Sequence, residues 1–196
     1  MARTIGGHRS CTGLSPAGRR QSELLRDRWA SRPEFEADAL VASNYRRAYE
    51  TAEIIAPALG GLGVSINHAF GELDPGETCD GMSFAEFEAR YPSTSRPGPD
   101  DDVFPGGETR EAFHRRVSVA VEDLVAVGAG RTVVVVCHGG VIDAVIRTLS
   151  QSPADCGFEV SVANTSITEL LMLPGGRWRL LRCGDVAHLA TDELKS

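Results

Sequence analysis

The six residues Thr132–Cys137 (TVVVVC) form an unbroken run of β-branched and apolar side chains. A continuous run of this kind, without polar alternation, is typical of a strand that is covered by other elements on both faces. The triplet His138-Gly139-Gly140 follows directly, and Val141–Leu149 then reads as a helix. A buried strand that turns at once into a helix indicates an α/β fold.

The rest of the chain alternates strand and helix signals in the same way. Ser15-Pro16 supplies an N-cap and a first-turn proline, and Gly60-Gly61 supplies a helix stop. Strands separated by helices predict layered α/β architecture with a mostly parallel sheet. The predicted elements are a helix to about Ala30, strand Ala39–Ala42, helix Arg46–Leu59, strand Val64–Ile66, a short helix from Ser83 to before Pro92, helix Thr109–Val127, and a closing hairpin of Ile167–Leu173 and Trp178–Cys183.

Length and composition suit one globular domain over residues 1–196. The Pro-, Gly- and Asp-rich stretch Ser93–Gly107 reads as a long loop within it. No apolar run is long enough to span a bilayer and the first residues do not resemble a signal peptide, so we expect a cytoplasmic protein. The formal net charge of −7 argues against nucleic acid and anionic membranes as partners.

Two predicted strand ends carry polar groups suited to binding an anion. His138 follows one strand, and Arg46 and Arg47 begin the helix after another. Ligands of parallel α/β sheets collect at the carboxyl ends of the strands, where helix N-termini offer free N–H groups. Each signal alone also fits an ordinary loop histidine or solvated arginines; together they indicate an oxyanion pocket in which histidine carries a proton or a phosphoryl group.

Six ordered segments resemble those of the histidine phosphatase superfamily, also called phosphoglycerate mutase-like, over nearly the whole chain. The resemblance implies a three-layer α/β/α sandwich with a mostly parallel sheet. The segments are Gly13–Gln21 (GLSPAGRRQ), Ser43–Ala52 (SNYRRAYETA), Glu72–Gly76 (ELDPG) with Gly81 following, Pro105–Thr109 (PGGET), Cys137–Ile142 (CHGGVI), and Asn164–Thr168 with Gly184–Leu189 (NTSIT, GDVAHL).

The resemblance also implies a role for individual positions. Arg47 corresponds to the arginine that clamps phosphate, Glu72 to the acid that protonates the leaving oxygen, and His138 to the second histidine, which stabilises the transferring phosphoryl group. The Gly139 N–H is a further donor. Asp74 and Glu77 are rival acids in the same loop. No metal or organic cofactor is implied, and a homodimer is possible because dimers are common among relatives.

The defining Arg-His-Gly triplet of that family, whose histidine is the nucleophile, does not occur in the sequence. By family spacing, the reversed pair His8-Arg9 belongs to the loop after that triplet, so His8 is a candidate pocket-lining, substrate-binding residue or else simply exposed. We therefore expect a nucleophile encoded before Met1 and a chain that lacks the first strand and has negligible activity. The competing explanation is a truncated protein that binds phosphate compounds without turning them over.

Other catalytic classes fit less well. Cys137 has no arginine six positions later, as a cysteine phosphatase requires, and no G-x-S-x-G elbow supports an α/β-hydrolase. The predicted function is hydrolysis of a small phosphorylated metabolite, with a non-catalytic phosphate-binding protein as the alternative. A phosphoglycerate mutase is less favoured because the segment between Glu72 and Gly107 leaves limited room for the insertions that cover a mutase site.

Overall fold

A computed structural model describes residues 4–92, 103–128, 130–153 and 157–189. Most of the predicted loop Ser93–Gly107 lies outside these ranges. In chain order the elements are α1 (Pro16–Ser31), β1 (Ala39–Ala42), α2 (Arg46–Ile55), a 3₁₀ turn (Ala56–Leu59), β2 (Val64–Ile66), a 3₁₀ turn (His68–Phe70), α3 (Gly76–Cys79), α4 (Phe84–Arg90), α5 (Arg110–Val127), β3 (Val133–Val136), α6 (Gly139–Ser150), β4 (Ile167–Leu173) and β5 (Arg177–Asp185).

The three central strands are parallel, in the order β2-β1-β3. Leu40 of β1 lies opposite Val64 of β2 on one side and Val134 of β3 on the other. Because all three strands run the same way, their carboxyl ends lie at one edge of the sheet, as the strand–helix alternation predicts. Strand β1 therefore ends beside β3, which brings the start of α2 next to the start of α6.

Helices cover both faces of this sheet. Val41, Val133 and Val135 pack into a core with α5 and α6. The alternate residues Leu40, Ala42, Val134 and Val136 pack into a second core with α1 and α2. Since successive side chains of a strand point to opposite faces, an uninterrupted apolar sequence is what two helical layers require. The predicted three-layer α/β/α sandwich is confirmed.

Helix boundaries follow the signals in the sequence, with two exceptions: α6 begins at Gly139, two residues before the predicted start at Val141, and the end of α2 differs as well. Ser15 caps α1 by accepting a hydrogen bond from the Gly18 N–H, and Ser83 and Glu86 form a capping box at α4. The predicted helix Arg46–Leu59 instead ends as an α-helix at Ile55 and continues as a 3₁₀ turn. Pro57 explains the difference, because it has no N–H to donate to the preceding turn.

The parallel sheet ends at β3 in the described part of the chain. Among the described residues, β3 pairs only with β1, and β4 pairs only with β5 in a separate antiparallel hairpin. The four valines of β3 are only half-buried, whereas Leu40, Val41 and Ala42 of β1 are buried. Strand β3, the most apolar strand of the sequence, thus has one unpaired edge among the described residues. This is unusual, because unpaired N–H and C=O groups on an apolar edge can pair with another chain. Within the described ranges, no helix is long and apolar enough to cross a membrane.

Candidate active site

His138 lies where β3 ends and α6 begins. It occupies the N-cap position of α6, its backbone is extended, and the residue is 8% exposed. Gly139 and Gly140 form the first turn of the helix, and Gly139 is exposed. The first N–H groups of a helix have no partner within the helix and lie at the positive end of its dipole, so this turn is suited to an anion.

Both ring nitrogens of His138 contact residues at the end of β1. Nε2 lies 2.7 Å from Ser43 Oγ, and Nδ1 lies 3.3 Å from Arg47 Nη2. A guanidinium can only donate, so Nδ1 accepts from Arg47 and the ring proton is on Nε2. Ser43 Oγ then accepts from Nε2 and also from the Tyr45 N–H at 3.2 Å. This network fixes both the orientation and the tautomer of His138.

Burial and charge keep His138 neutral. Desolvation, together with the smaller effects of the nearby cations Arg47 and Arg116, lowers the pKa of His138 to about 3. At neutral pH the ring therefore carries one proton and no charge. An anion bound beside it would oppose both effects, because a nearby negative charge favours the imidazolium.

Tyr45 packs at the centre of these groups and is 3% exposed. Its ring makes edge contacts with His138 and His8, with ring centroids 4.9 Å and 5.4 Å away. The guanidinium carbon of Arg47 lies 4.4 Å from the centre of the same ring, a cation–π contact. Burial raises the pKa of the Tyr45 hydroxyl to about 12, so the ring is a neutral support for Arg47 and His138.

Glu72 contacts the same helix start from the opposite direction. Its Oε2 accepts a hydrogen bond from the Gly140 N–H at 3.2 Å, and Oε1 accepts from its own neighbour, the Leu73 N–H, at 3.0 Å. The two rival acids lie elsewhere: Asp74 is exposed and accepts from the Gly76 N–H, and Glu77 is exposed and pairs with Arg9. Of the three acids, Glu72 alone touches the His138-Gly139-Gly140 turn.

His8 is exposed and reaches the site only through Tyr45. Asp80 holds the loop that carries it by accepting hydrogen bonds from the backbone N–H groups of Gly7, Arg9 and Ser10. The structure therefore brings together Arg47, Glu72, His138 and Gly139, and places His8 at their margin. Its substrate-binding role stays a prediction.

Comparison with known proteins gives the same family as the sequence motifs. The sequence profile of the histidine phosphatase superfamily (branch 1) matches residues 2–186. The chain belongs to this superfamily. Phosphoglycerate mutase-like protein 4 of Arabidopsis thaliana is 30% identical over 192 residues, which cover 95% of this chain and 80% of that protein.

Solved structures of histidine phosphatase relatives share the fold. Mycobacterial hydrolase 2 superposes with a TM-score of 0.82 at 28% identity, covering 100% of this chain and 89% of the other. A mycobacterial glucosyl-3-phosphoglycerate phosphatase in complex with VO3 has a TM-score of 0.77 at 28% identity, covering 91% and 90% of the two chains. Relatives of the chain thus include proteins named as phosphatases and as mutase-like proteins.

Two residues of this histidine phosphatase site, Ser43 and Tyr45, were not assigned a role from the sequence. Both belong to the quoted segment Ser43–Ala52, but only Arg47 in it was given a function. A signal for Ser43 was available, because a hydroxyl that follows a buried strand directly lies at the sheet edge where ligands bind. The position of Tyr45 depends on side-chain packing across three elements, which no local pattern encodes.

No cluster of three or more metal-ligating side chains occurs among the described residues. Two surface grooves of about 440 and 480 Å³ lie away from His138, the first between α5 and the turn His68–Phe70 and the second beside α4. Neither contains Arg47, Glu72 or His138. The candidate active site is therefore defined by its converging donors and acid, and not by the volume of a groove.

Proposed function

We propose that the protein is a phosphomonoester hydrolase of the histidine phosphatase type that acts on a small phosphorylated metabolite. The observation that carries the proposal is the convergence of a cation, a neutral imidazole and a carboxylate on one helix N-terminus. Arg47 donates to His138 Nδ1, and Glu72 accepts from the Gly140 N–H two residues further along. Charge develops on phosphoryl oxygens and on a leaving oxygen during phosphoryl transfer, and these are the groups that stabilise it.

In the proposed reaction each group has one task. The Arg47 guanidinium and the exposed Gly139 N–H bind the phosphoryl oxygens, and His138 becomes an additional donor when the dianion raises its proton affinity. A histidine nucleophile attacks phosphorus while the P–O bond to the leaving group breaks. Glu72, protonated, transfers its proton to the leaving oxygen. Water then attacks the phosphohistidine and releases inorganic phosphate, with Glu72 taking the proton back.

The nucleophile is proposed to come from a strand that precedes residue 1 and pairs between β3 and β4. Two observations support this placement besides the family resemblance. The outer edge of β3 has no paired strand in the described part of the chain, and the β3 valines are half-buried. A parallel strand in that position would end at the same sheet edge as β1 and β3, beside His138.

The test compares residues 1–196 with a version extended by the in-frame residues encoded upstream of Met1. We expect the extended protein to hydrolyse p-nitrophenyl phosphate and to form an acid-labile phosphohistidine, and the shorter chain to do neither. His138→Asn in the extended protein is the matched loss-of-function control. Equal, robust turnover by the two versions would refute the proposed upstream nucleophile.

The second candidate function is binding of a phosphorylated ligand without turnover. It is favoured by the fact that Arg47, His138, Glu72 and the α6 N-terminus assemble within residues 4–189. Phosphohistidine trapping separates the two functions. If the extended protein binds vanadate but yields no labelled histidine, the binding function is correct and the hydrolase is not.

For the substrate, the names of relatives give a starting set. One is a glucosyl-3-phosphoglycerate phosphatase and another is a phosphoglycerate mutase-like protein, so phosphorylated glycerate esters are the first compounds to assay. Hydrolysis is favoured over a mutase activity because the short segment between Glu72 and Gly107 leaves limited room for the insertions that cover a mutase site. Cytoplasmic location, a single domain and a homodimer stay predictions from the sequence and its family resemblance.

A further inference from the structure

We propose that Arg116 and Glu108 form a positioning pair that holds Glu72 in place for proton transfer. This inference rests on the proposed function, since it concerns the acid of that reaction. Both residues act through the backbone of the segment that carries Glu72.

Arg116, on α5, binds the backbone just before Glu72. Its Nη1 donates to the carbonyl oxygens of Ala69 at 2.8 Å and of Gly71 at 3.1 Å, and Gly71 is the residue immediately before Glu72. Two acceptors on one nitrogen fix the direction in which the chain enters position 72. The side-chain stem is fixed as well, because the guanidinium carbon lies 5.1 Å from the centre of the Phe113 ring.

Glu108 binds the backbone just after Glu72 and Leu73. Its backbone N–H donates to the Asp74 carbonyl at 2.8 Å, and its Oε2 accepts from the Asp74 N–H at 3.4 Å. The close approach also depends on Gly107, because a Cβ at that position would lie 2.6 Å from the Asp74 carbonyl oxygen. Glu72 and Leu73 are thus bracketed between two anchored residues.

The two anchors are joined to each other. Arg116 Nε and Nη2 form a fork to the Glu108 carboxylate, at 3.0 and 2.7 Å, and the side chains are 28% and 16% exposed. A planar guanidinium can make this fork and still use Nη1 for two carbonyls, which an ammonium group cannot. The positive charge also reaches the site, since Arg116 contributes to the lowered pKa of His138.

We call the two anchors, Arg116 and Glu108, the bracket around Glu72. The bracket matters for chemistry because a general acid must lie within hydrogen-bond distance of the oxygen that it protonates. A displacement of about 1 Å in a reacting group costs on the order of 100-fold in rate. Within the described ranges, the Glu72 side chain makes one long-range hydrogen bond, to the Gly140 N–H. Its position therefore depends on the backbone anchors on either side.

The first experiment uses Arg116→Lys, Arg116→Met and Glu108→Gln in the extended protein, with Arg115→Met as control. Arg115 is the exposed neighbour on the same helix. An alkyl phosphate needs protonation of its leaving oxygen and p-nitrophenyl phosphate does not. We expect kcat/KM to fall about 10- to 100-fold for the alkyl ester, within the range that an acid contributes, and less than about threefold for the aryl ester. Equal losses on both esters, or none, would overturn the positioning role.

The second experiment needs no turnover. The Gly140 N–H is in the first turn of α6 and has no acceptor within the helix, so its protection from hydrogen exchange reports its contact with Glu72. In residues 1–196 we expect the Arg116 and Glu108 variants to accelerate its exchange at least about tenfold, and Arg115→Met to leave it unchanged. Unchanged exchange in all three variants would overturn the bracket. Accelerated exchange together with an inactive extended protein would instead uphold the bracket and refute the hydrolase.

Discussion

Arg47 donates a hydrogen bond to His138 Nδ1, with the two nitrogens 3.3 Å apart. A permanent cation thus uses a neutral imidazole as its acceptor inside a buried site. Burial is the main reason that His138 resists protonation, and the Arg47 contact adds to it, because the proton would have to enter beside the guanidinium. When an anion binds beside them, Arg47 can donate to the anion, and His138 can take up a proton and donate as well. Binding of phosphate and the charge state of His138 are therefore coupled.

Replacing Arg47 should remove most of the affinity for phosphate. Arg47→Met deletes a charge-assisted donor, and we expect inorganic phosphate or vanadate to bind about 10- to 100-fold more weakly, as measured by calorimetry. Arg46→Met is the matched control, because Arg46 is exposed and pairs with Glu50 on the outer side of α2. Its affinity should stay within about twofold. Similar losses in the two variants would contradict the assignment of Arg47.

His138 should make the protein less stable in acid. The pKa of its ring is about 3 in the folded protein, below the ordinary histidine value of 6.5, so the unfolded chain binds more protons between these values. The resulting loss of stability is absent above about pH 6.5 and grows as the pH falls toward 3. In His138→Gln this contribution is gone. The free energy of unfolding in urea should therefore fall less steeply between pH 7 and 4 in the variant; parallel curves would contradict a neutral buried ring.

The sequence predicted the layers and the edge at which the site forms, because both follow from local patterns. The run Thr132–Cys137 and the arginines after Ala39–Ala42 are visible without a structure. The helix predictions were wrong where Pro57 converts the end of α2 into a 3₁₀ turn and where α6 already begins at Gly139. The contacts of Arg116 and Glu108 with the Glu72 segment were not predictable, since they join residues 34 to 47 positions apart and depend on how α5 packs.

Gly140 should tolerate alanine less well than Gly139 does. A Cβ at position 140 would overlap the Glu72 carboxylate, whereas a Cβ at position 139 would lie 4.0 Å from Val162, an ordinary contact. The side chain of Glu72 can swing away, so Gly140→Ala should change the unfolding free energy by less than about 1 kcal/mol while displacing the acid. In the extended protein we expect at least a tenfold loss on alkyl phosphates.

The paired variant Gly139→Ala gives the outcome that would decide against this explanation. It makes the same chemical change one residue earlier and meets no carboxylate. The N–H of residue 140, which donates to Glu72, should keep its protection from hydrogen exchange in Gly139→Ala and lose it in Gly140→Ala. Equal loss of protection in the two variants would mean that the helix start itself is disturbed, and not the position of Glu72 alone.

The β4–β5 hairpin is attached to α1 by ion pairs, and Arg28 is central to them. Its Nε lies 2.6 Å from Glu34 and its Nη2 2.7 Å from Asp185 of β5, with all three side chains about one-fifth exposed. The hydrogen bond from Arg28 is the largest of the causes that hold the pKa of Asp185 far below its usual range. Because the folded pKa is depressed, this pair stabilises the protein above the unfolded pKa near 3.8 and loses its effect as the pH falls further.

Arg28→Met should therefore lower the free energy of unfolding at pH 7 by about 1–3 kcal/mol, between the values of exposed and buried pairs. The difference from the parent protein should shrink as the pH is lowered below about 4, because the parent loses the same interaction by protonation. Arg26→Met is the control on the same helix, since Arg26 pairs only with its neighbour Asp27 among the described residues. A pH-independent difference would mean that Arg28 stabilises the hairpin through packing of its stem, and that its charge contributes nothing.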